Sequence, residues 1–209
     1  MILIGQYDSP FVRRVAVALR LYGIAYEHRP WSAFRDAEKL APFNPLRRVP
    51  TLVLDDGEVL IEGSAILDYL DERVGPERAL FPVGGINRRQ ALKLAALATG
   101  LADKAVTLVY ERVLHDQVSA VWVGRCRSQV ADVLSVLEPV LAHRTGAFLH
   151  GKTPGHGDVA LACALRFLRE AHPDLFEAER WPALAAHAER CEALPAFADC
   201  VQVFIAPTK

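Results

Sequence analysis

The chain has 209 residues, 52% of them hydrophobic and 23% charged, with a formal net charge of -1. That apolar content supplies a core and excludes disorder as the main state. The charge balance argues against a broad electrostatic footprint for nucleic acid or anionic lipid, and no apolar run is long enough to span a membrane.

Met1 runs straight into Ile2-Leu3-Ile4, which reads as a short strand rather than a secretory signal. Gly5 to Pro10 is a loop. Ser9 before Pro10 is a helix start, a hydroxyl cap followed by proline at the first helical position. The helix is expected over Pro10 to Tyr22, with Phe11, Val15, Ala18, Leu19 and Tyr22 on one face and Gly23 ending it. Ile24 to His28 is a second strand, and Trp31 to Ala41 is weakly helical. Thr51–Leu54 and Glu58–Ile61 are strands joined through Asp56-Gly57, a hairpin signal. Ser64 to Val74 is an amphipathic helix stopped by Gly75-Pro76. A right-handed crossover through the first helix makes the first strand pair parallel, and the last two strands are antiparallel.

Pro50 stands immediately before the apolar run Thr51 to Leu54. It cannot donate to a sheet ladder, so it belongs at a strand's first residue or on an edge. A cis Val49–Pro50 bond is one use of it, at little cost relative to trans. That turn leaves the amide and carbonyl of Val49 free at the sheet edge, where an extended peptide ligand can pair as an added strand. A trans proline that merely opens a strand is the alternative.

Glu77 to Ile86 carries Pro82, Gly84 and Gly85 and reads as a linker. Beyond it the period is helical throughout. Asn87-Arg88-Arg89-Gln90 is a capping-box start, with Leu94, Leu97, Leu101, Ala105 and Leu108 on one side of the helix behind it. Asp116-Gln117 opens another helix. Pro154 to Glu170 is apolar almost all round and reads as the core helix. Trp181–Leu194 and Pro195–Ile205 make two more. The expected division is a sheet domain at 1–76, a linker at 77–86 and an all-helical domain at 87–209. None of the four cysteines forms a CxxC pair, and Cys163 and Cys191 read as inert core thiols of a reducing compartment. The seven histidines show no metal-ligand spacing, so no metal is expected, and His115, His143, His150, His172 and His187 read as surface residues.

A mixed four-stranded sheet with X-Pro before its third strand, then an all-helical domain, resembles the cytosolic glutathione transferase family. The residues that carry this are Ser9-Pro10-Phe11-Val12-Arg13, Asn44-Pro45, Arg48-Val49-Pro50-Thr51-Leu52 and Glu62-Gly63-Ser64-Ala65-Ile66. Gly157-Asp158-Val159-Ala160, Trp181-Pro182 and Cys191-Glu192-Ala193-Leu194-Pro195 add to it. The resemblance implies a thioredoxin-like α/β N-terminal domain followed by an all-α C-terminal one. Two departures stand out. Gly63 takes the position at which the family usually has serine, and Gly155 stands at a cap that is usually serine or threonine. As a cap, glycine is only a few tenths of a kcal/mol worse.

The resemblance implies glutathione as co-substrate, with a partner for each of its groups. Val49 would pair its backbone with the cysteinyl residue. Glu62 would hold the α-amino group by a charge-assisted bond, and Gly63 and Ser64 the γ-glutamyl carboxylate by backbone N–H groups at a helix start. Arg48 could reach the glycyl carboxylate, with Lys39 and Arg35 as further candidates. Ser9 would donate to the glutathione thiolate and lower the thiol pKa. Its plainer reading is the cap of the first helix, and Tyr7 is its rival, one residue off the register of tyrosine-type members. A small apolar electrophile would bind between the domains near Phe11, Leu108 and Tyr110. The implied protein is a cytoplasmic, homodimeric, detoxifying transferase that conjugates glutathione to such an electrophile or uses it to reduce a peroxide. A non-catalytic binding or regulatory protein of the same architecture is the alternative, favoured by Gly63. An isomerase of maleylacetoacetate type would want a Ser-Ser-Cys-like loop, which Tyr7-Asp8-Ser9-Pro10 lacks.

Overall fold

The computed structural model describes residues 1–207. Its first half runs β1 (Ile2–Ile4), α1 (Pro10–Tyr22), β2 (Glu27–Arg29), α2 (Ala37–Leu40), β3 (Thr51–Val53), β4 (Val59–Ile61) and α3 (Gly63–Val74). The sheet order is β2-β1-β3-β4, with β1 parallel to β2 and antiparallel to β3, and β3 antiparallel to β4. This is the expected mixed sheet. The weakly helical stretch after β2 condenses to the four residues of α2.

Local chemistry sets α1. Ser9 is extended and its Oγ accepts from the Val12 N–H, Pro10 opens the helix, and Gly23 closes it at φ 68°. Glycine bears that left-handed conformation without a Cβ penalty. α1 is buried on nearly every side rather than along one stripe. Leu3, Leu52 and Ile66 pack on one flank of it, and Val159, Cys163 and Phe197 from the second half share the same apolar cluster. Arg13, 1% exposed, crosses this contact. It donates from Nη1 and Nη2 to the two Glu192 oxygens at 2.6 and 2.7 Å, and from Nε to the Cys200 carbonyl at 2.7 Å. A buried charge paired this fully escapes the cost of an orphaned one.

The second half is helical: α4 (Gly85–Leu114), α5 (Ala120–Ala142), α6 (His156–Ala171), α7 (Pro182–Glu192) and α8 (Pro195–Ala198), with a 3₁₀ turn at Pro173–Leu175. Helix α6 is the central one, as its all-round apolar pattern implies. Several expectations need correcting. α4 starts at Gly85 behind Gly84, ahead of the polar Asn87-Gln90 box. α5 starts behind Ser119, whose Oγ accepts from the Trp122 N–H, rather than at Asp116. The last helix stops at Ala198, and Val201 to Pro207 is an irregular tail. Its N–H groups go to side chains far away in sequence: Phe204 donates to Glu170 and Ile205 to Asp8. His172 and His187 are buried, not at the surface.

Gly155 is also more than a weak cap. Asp158 accepts from its N–H at 2.9 Å, half of a capping box. A Cβ there would stand 2.9 Å from the backbone carbonyl oxygen of Leu80. The site is therefore closed to serine without a backbone shift.

Candidate functional site

The loop from Asn44 to Thr51 is fixed from beneath. Asn44, almost fully buried, donates from Nδ2 to the Arg48 carbonyl at 2.8 Å and to Thr51 Oγ1 at 3.2 Å. Its Oδ1 accepts from the Leu46 N–H, and Thr51 Oγ1 donates to the Arg48 carbonyl. The Val49–Pro50 bond is cis. Neither the N–H nor the C=O of Val49 takes a hydrogen bond among the described residues. Gly5 lets the β1 loop lie against this turn. At φ 133°, a Cβ on it would meet the Val12 side chain at 2.5 Å and Val49 Cβ at 2.9 Å.

Two cavities meet at Val49. The smaller, about 370 Å³, is lined by Arg14, Arg48, Val49, Pro50, Glu62 and Ser64. Glu62 has φ 70° and sits immediately before α3, whose first residue is the buried Gly63. A bulky residue at positive φ is uncommon and is kept where surroundings over-determine it. The larger cavity, about 630 Å³, holds Ser9, Phe11, Val49 and Tyr110, together with Arg48 and the tail residue Phe204. Val49 and Arg48 line both cavities, with Glu62 in the smaller and Ser9 in the larger.

The larger cavity lies between the sheet half and α4. Burial pushes the Tyr110 phenol up, and the Arg48 charge opposes that. Burial also pushes the Asp8 carboxyl up, against the bond from Ile205 N–H. Leu108 does not line the cavity, contrary to expectation. The lining residues Asp103, Val106, Thr107 and Tyr110 recur at helical spacing on one face of α4, and Leu108 lies off it. Arg35 lines the larger cavity, whereas Lys39 pairs with Asp36 at 2.7 Å and lines neither. Tyr7 is buried with its hydroxyl on Tyr26 and lines neither cavity. All four cysteines are free and buried.

Three parts of the site escaped the sequence reading. The tail wall at Phe204 to Pro207 has no local signal, since its contacts lie in other elements. Asn44 stands in the sequence as part of the Asn44-Pro45 motif, with no local sign that its side chain anchors the Arg48 carbonyl and Thr51. Arg14, 7% exposed on α1, carries a charge where the pattern asks for an apolar residue.

Residues 3–78 match the family model described as glutathione S-transferase, N-terminal domain, and residues 120–190 the one for its C-terminal domain. The chain is 32% identical over 169 residues to an uncharacterized GST-like protein, YibF, of Escherichia coli, covering 80% of this chain and 82% of that one. It is 32% identical over 214 residues to a maleylacetoacetate isomerase of Pseudomonas aeruginosa, covering 94% and 93%. Among solved structures, it resembles a Methylobacterium radiotolerans glutathione S-transferase in complex with glutathione sulfonate, with TM-score 0.91, 30% identity and coverage of 100% and 97%. A glutathione transferase family member from Pseudomonas fluorescens with bound glutathione gives TM-score 0.80, 32% identity and coverage of 95% and 97%.

Proposed function

This chain belongs to the glutathione S-transferase family, and on that premise we propose that it binds glutathione along Val49 and activates its thiol with Ser9. The observation that carries this is the unpaired Val49 N–H and C=O, set between a cavity holding Glu62 and a cavity holding Ser9. Main-chain pairing at Val49 supplies register for the cysteinyl residue. Glu62 takes the α-ammonium, Arg48 the glycyl carboxylate, and the Gly63 and Ser64 N–H groups at the start of α3 the γ-glutamyl carboxylate.

Ser9 donates to the thiolate from the start of α1, where the helix dipole also favours an anion. A bond to the charged form lowers the thiol pKa, and the thiolate is the nucleophile. Sulfur forms a bond to a small apolar electrophile as the leaving group departs, or attacks a hydroperoxide oxygen and is oxidised while the peroxide is reduced. The electrophile sits against Phe11 and Tyr110. Pairing of two copies, the sheet half of one against the first helices of the other's helical half, belongs to the same proposal, and sedimentation as a monomer overturns that part.

The test is a chlorodinitrobenzene and hydroperoxide assay on wild type and Ser9→Ala. A Ser9-dependent rate supports the enzyme. Glutathione binding with no turnover of either substrate supports the binding-protein reading instead. The 32% identity to a maleylacetoacetate isomerase over nearly the whole chain favours a second reading, glutathione-dependent cis–trans isomerisation of an anionic substrate held by Arg35 while Arg48 keeps the glycyl carboxylate. Assay with a maleyl keto acid separates it from conjugation.

A further inference from the structure

Arg14 is the charged group that this mechanism leaves idle. Its side chain is 7% exposed, it makes no hydrogen bond among the described residues, and its Nε is buried without a partner. A buried donor with no acceptor costs free energy, and a buried charge more. The carboxylate of Glu62 offsets the burial only by attraction at a distance. An anion that fits beside this guanidinium would satisfy the buried donor and offset the charge.

The place for that anion is specific. Arg14 lines the smaller cavity beside Glu62 and Ser64. A Cβ built on Gly63 would stand 3.4 Å from Arg14 Nε and 3.6 Å from its Cζ and Nη2. The guanidinium thus borders the spot where a side chain at the first residue of α3 would otherwise project.

We propose that Arg14 is a binding residue for the γ-glutamyl α-carboxylate of glutathione, replacing the hydroxyl absent at Gly63. This rests on the glutathione reading above. Glu62 and Arg14 then form a pair of opposite charges matched to the ammonium and carboxylate of one α-amino acid. The Gly63 and Ser64 N–H groups hold the same carboxylate along the axis of α3, where the helix dipole adds to the guanidinium. Glycine at 63 is then an exchange of one donor for a stronger, charged one.

The test is titration calorimetry of wild type, Arg14→Met and Arg14→Lys with two peptides. One is glutathione; the other has 4-aminobutanoyl in place of γ-glutamyl and so lacks only the α-carboxylate. Arg14→Met should weaken glutathione about 10- to 100-fold, the range of a charge-assisted bond, and leave the truncated peptide within about threefold. Gly63→Ser in the Arg14→Met background should regain part of the lost affinity, since its Cβ has room. Thermal melts accompany each variant, and if Arg14→Met does not fold, Arg14→Lys carries the comparison with a smaller loss confined to glutathione. Unchanged glutathione binding, or an equal loss for both peptides, overturns the role of Arg14 alone. Wild type that binds no glutathione overturns the glutathione reading and this role together.

Discussion

Tyr7 lies flat on His28, ring centroids 3.8 Å apart and planes 1° from parallel, with its hydroxyl 2.7 Å from that of Tyr26. The phenol is committed inside the sheet half, while Ser9, two residues on, lines the larger cavity. Tyr7→Phe should therefore keep kcat/KM within about threefold, whereas Ser9→Ala should lower it about 100-fold or more if Ser9 holds the thiolate. Ser9→Ala also removes the α1 cap, about 1 kcal/mol. Ser9→Gly separates the two effects, because glycine caps nearly as well as serine but has no hydroxyl. Steady-state conjugation rates and urea melts on the three variants check this.

Gly155 is where capping rules and packing disagree. Serine should improve a glycine cap by a few tenths of a kcal/mol. Here the added Cβ would press on the Leu80 carbonyl oxygen at 2.9 Å, in backbone that also accepts from the His156 N–H. Gly155→Ser should therefore destabilise by about 1–3 kcal/mol, the usual cost of overpacking. Urea denaturation measures it.

His187 is fully buried, and burial first, then the Arg144 and Arg190 charges, push its pKa down to about 4. In the unfolded chain it protonates near the usual histidine value of about 6.5. Between these values the unfolded chain binds more protons, so stability is full above about pH 6.5 and falls toward pH 4. His187 alone accounts for roughly 3 kcal/mol of that loss. His187→Leu should show a flatter stability profile across this window. Comparing variant with wild type separates it from His156 and His172, which burial also pushes down.

The C-terminal tail walls only the larger cavity. Gln202 Oε1 accepts from the Tyr7 N–H, Ile205 N–H donates to Asp8, and Phe204 stacks edge-on against Phe167. Truncation after Val201 should raise KM for an apolar electrophile several-fold and leave glutathione affinity within about twofold, an estimate based on loss of part of one apolar wall. Loss of glutathione affinity instead would place the tail in the smaller cavity's support.

Much of the sheet half was legible because its signals are local. Ser9-Pro10 and Gly23 bound α1 to the residue, and Asp56-Gly57 marks the hairpin. Pro50 pointed to a special turn, though only the structure chose cis. What escaped depends on partners distant in sequence. Helix periodicity at Pro195–Ile205 was overridden because Phe204 and Ile205 donate to Glu170 and Asp8. Polarity suggested a surface position for His187, which packs at α7 within 3.6 Å of Cys191. Leu108 belongs to the buried stripe of α4 with Leu101 and Ala105, off the face that lines the cavity. Arg14 resembled any helix cation until Gly63 came to lie beside it.

Glutathione capture at the bare Val49 edge is tested most directly by titrating ¹⁵N-labelled protein with glutathione and following its backbone amides. The Val49 and Ser64 signals should shift together, saturate at one glutathione per chain, and respond far less in Glu62→Ala. Saturable binding that leaves both amides unmoved, or no binding at all, would contradict it.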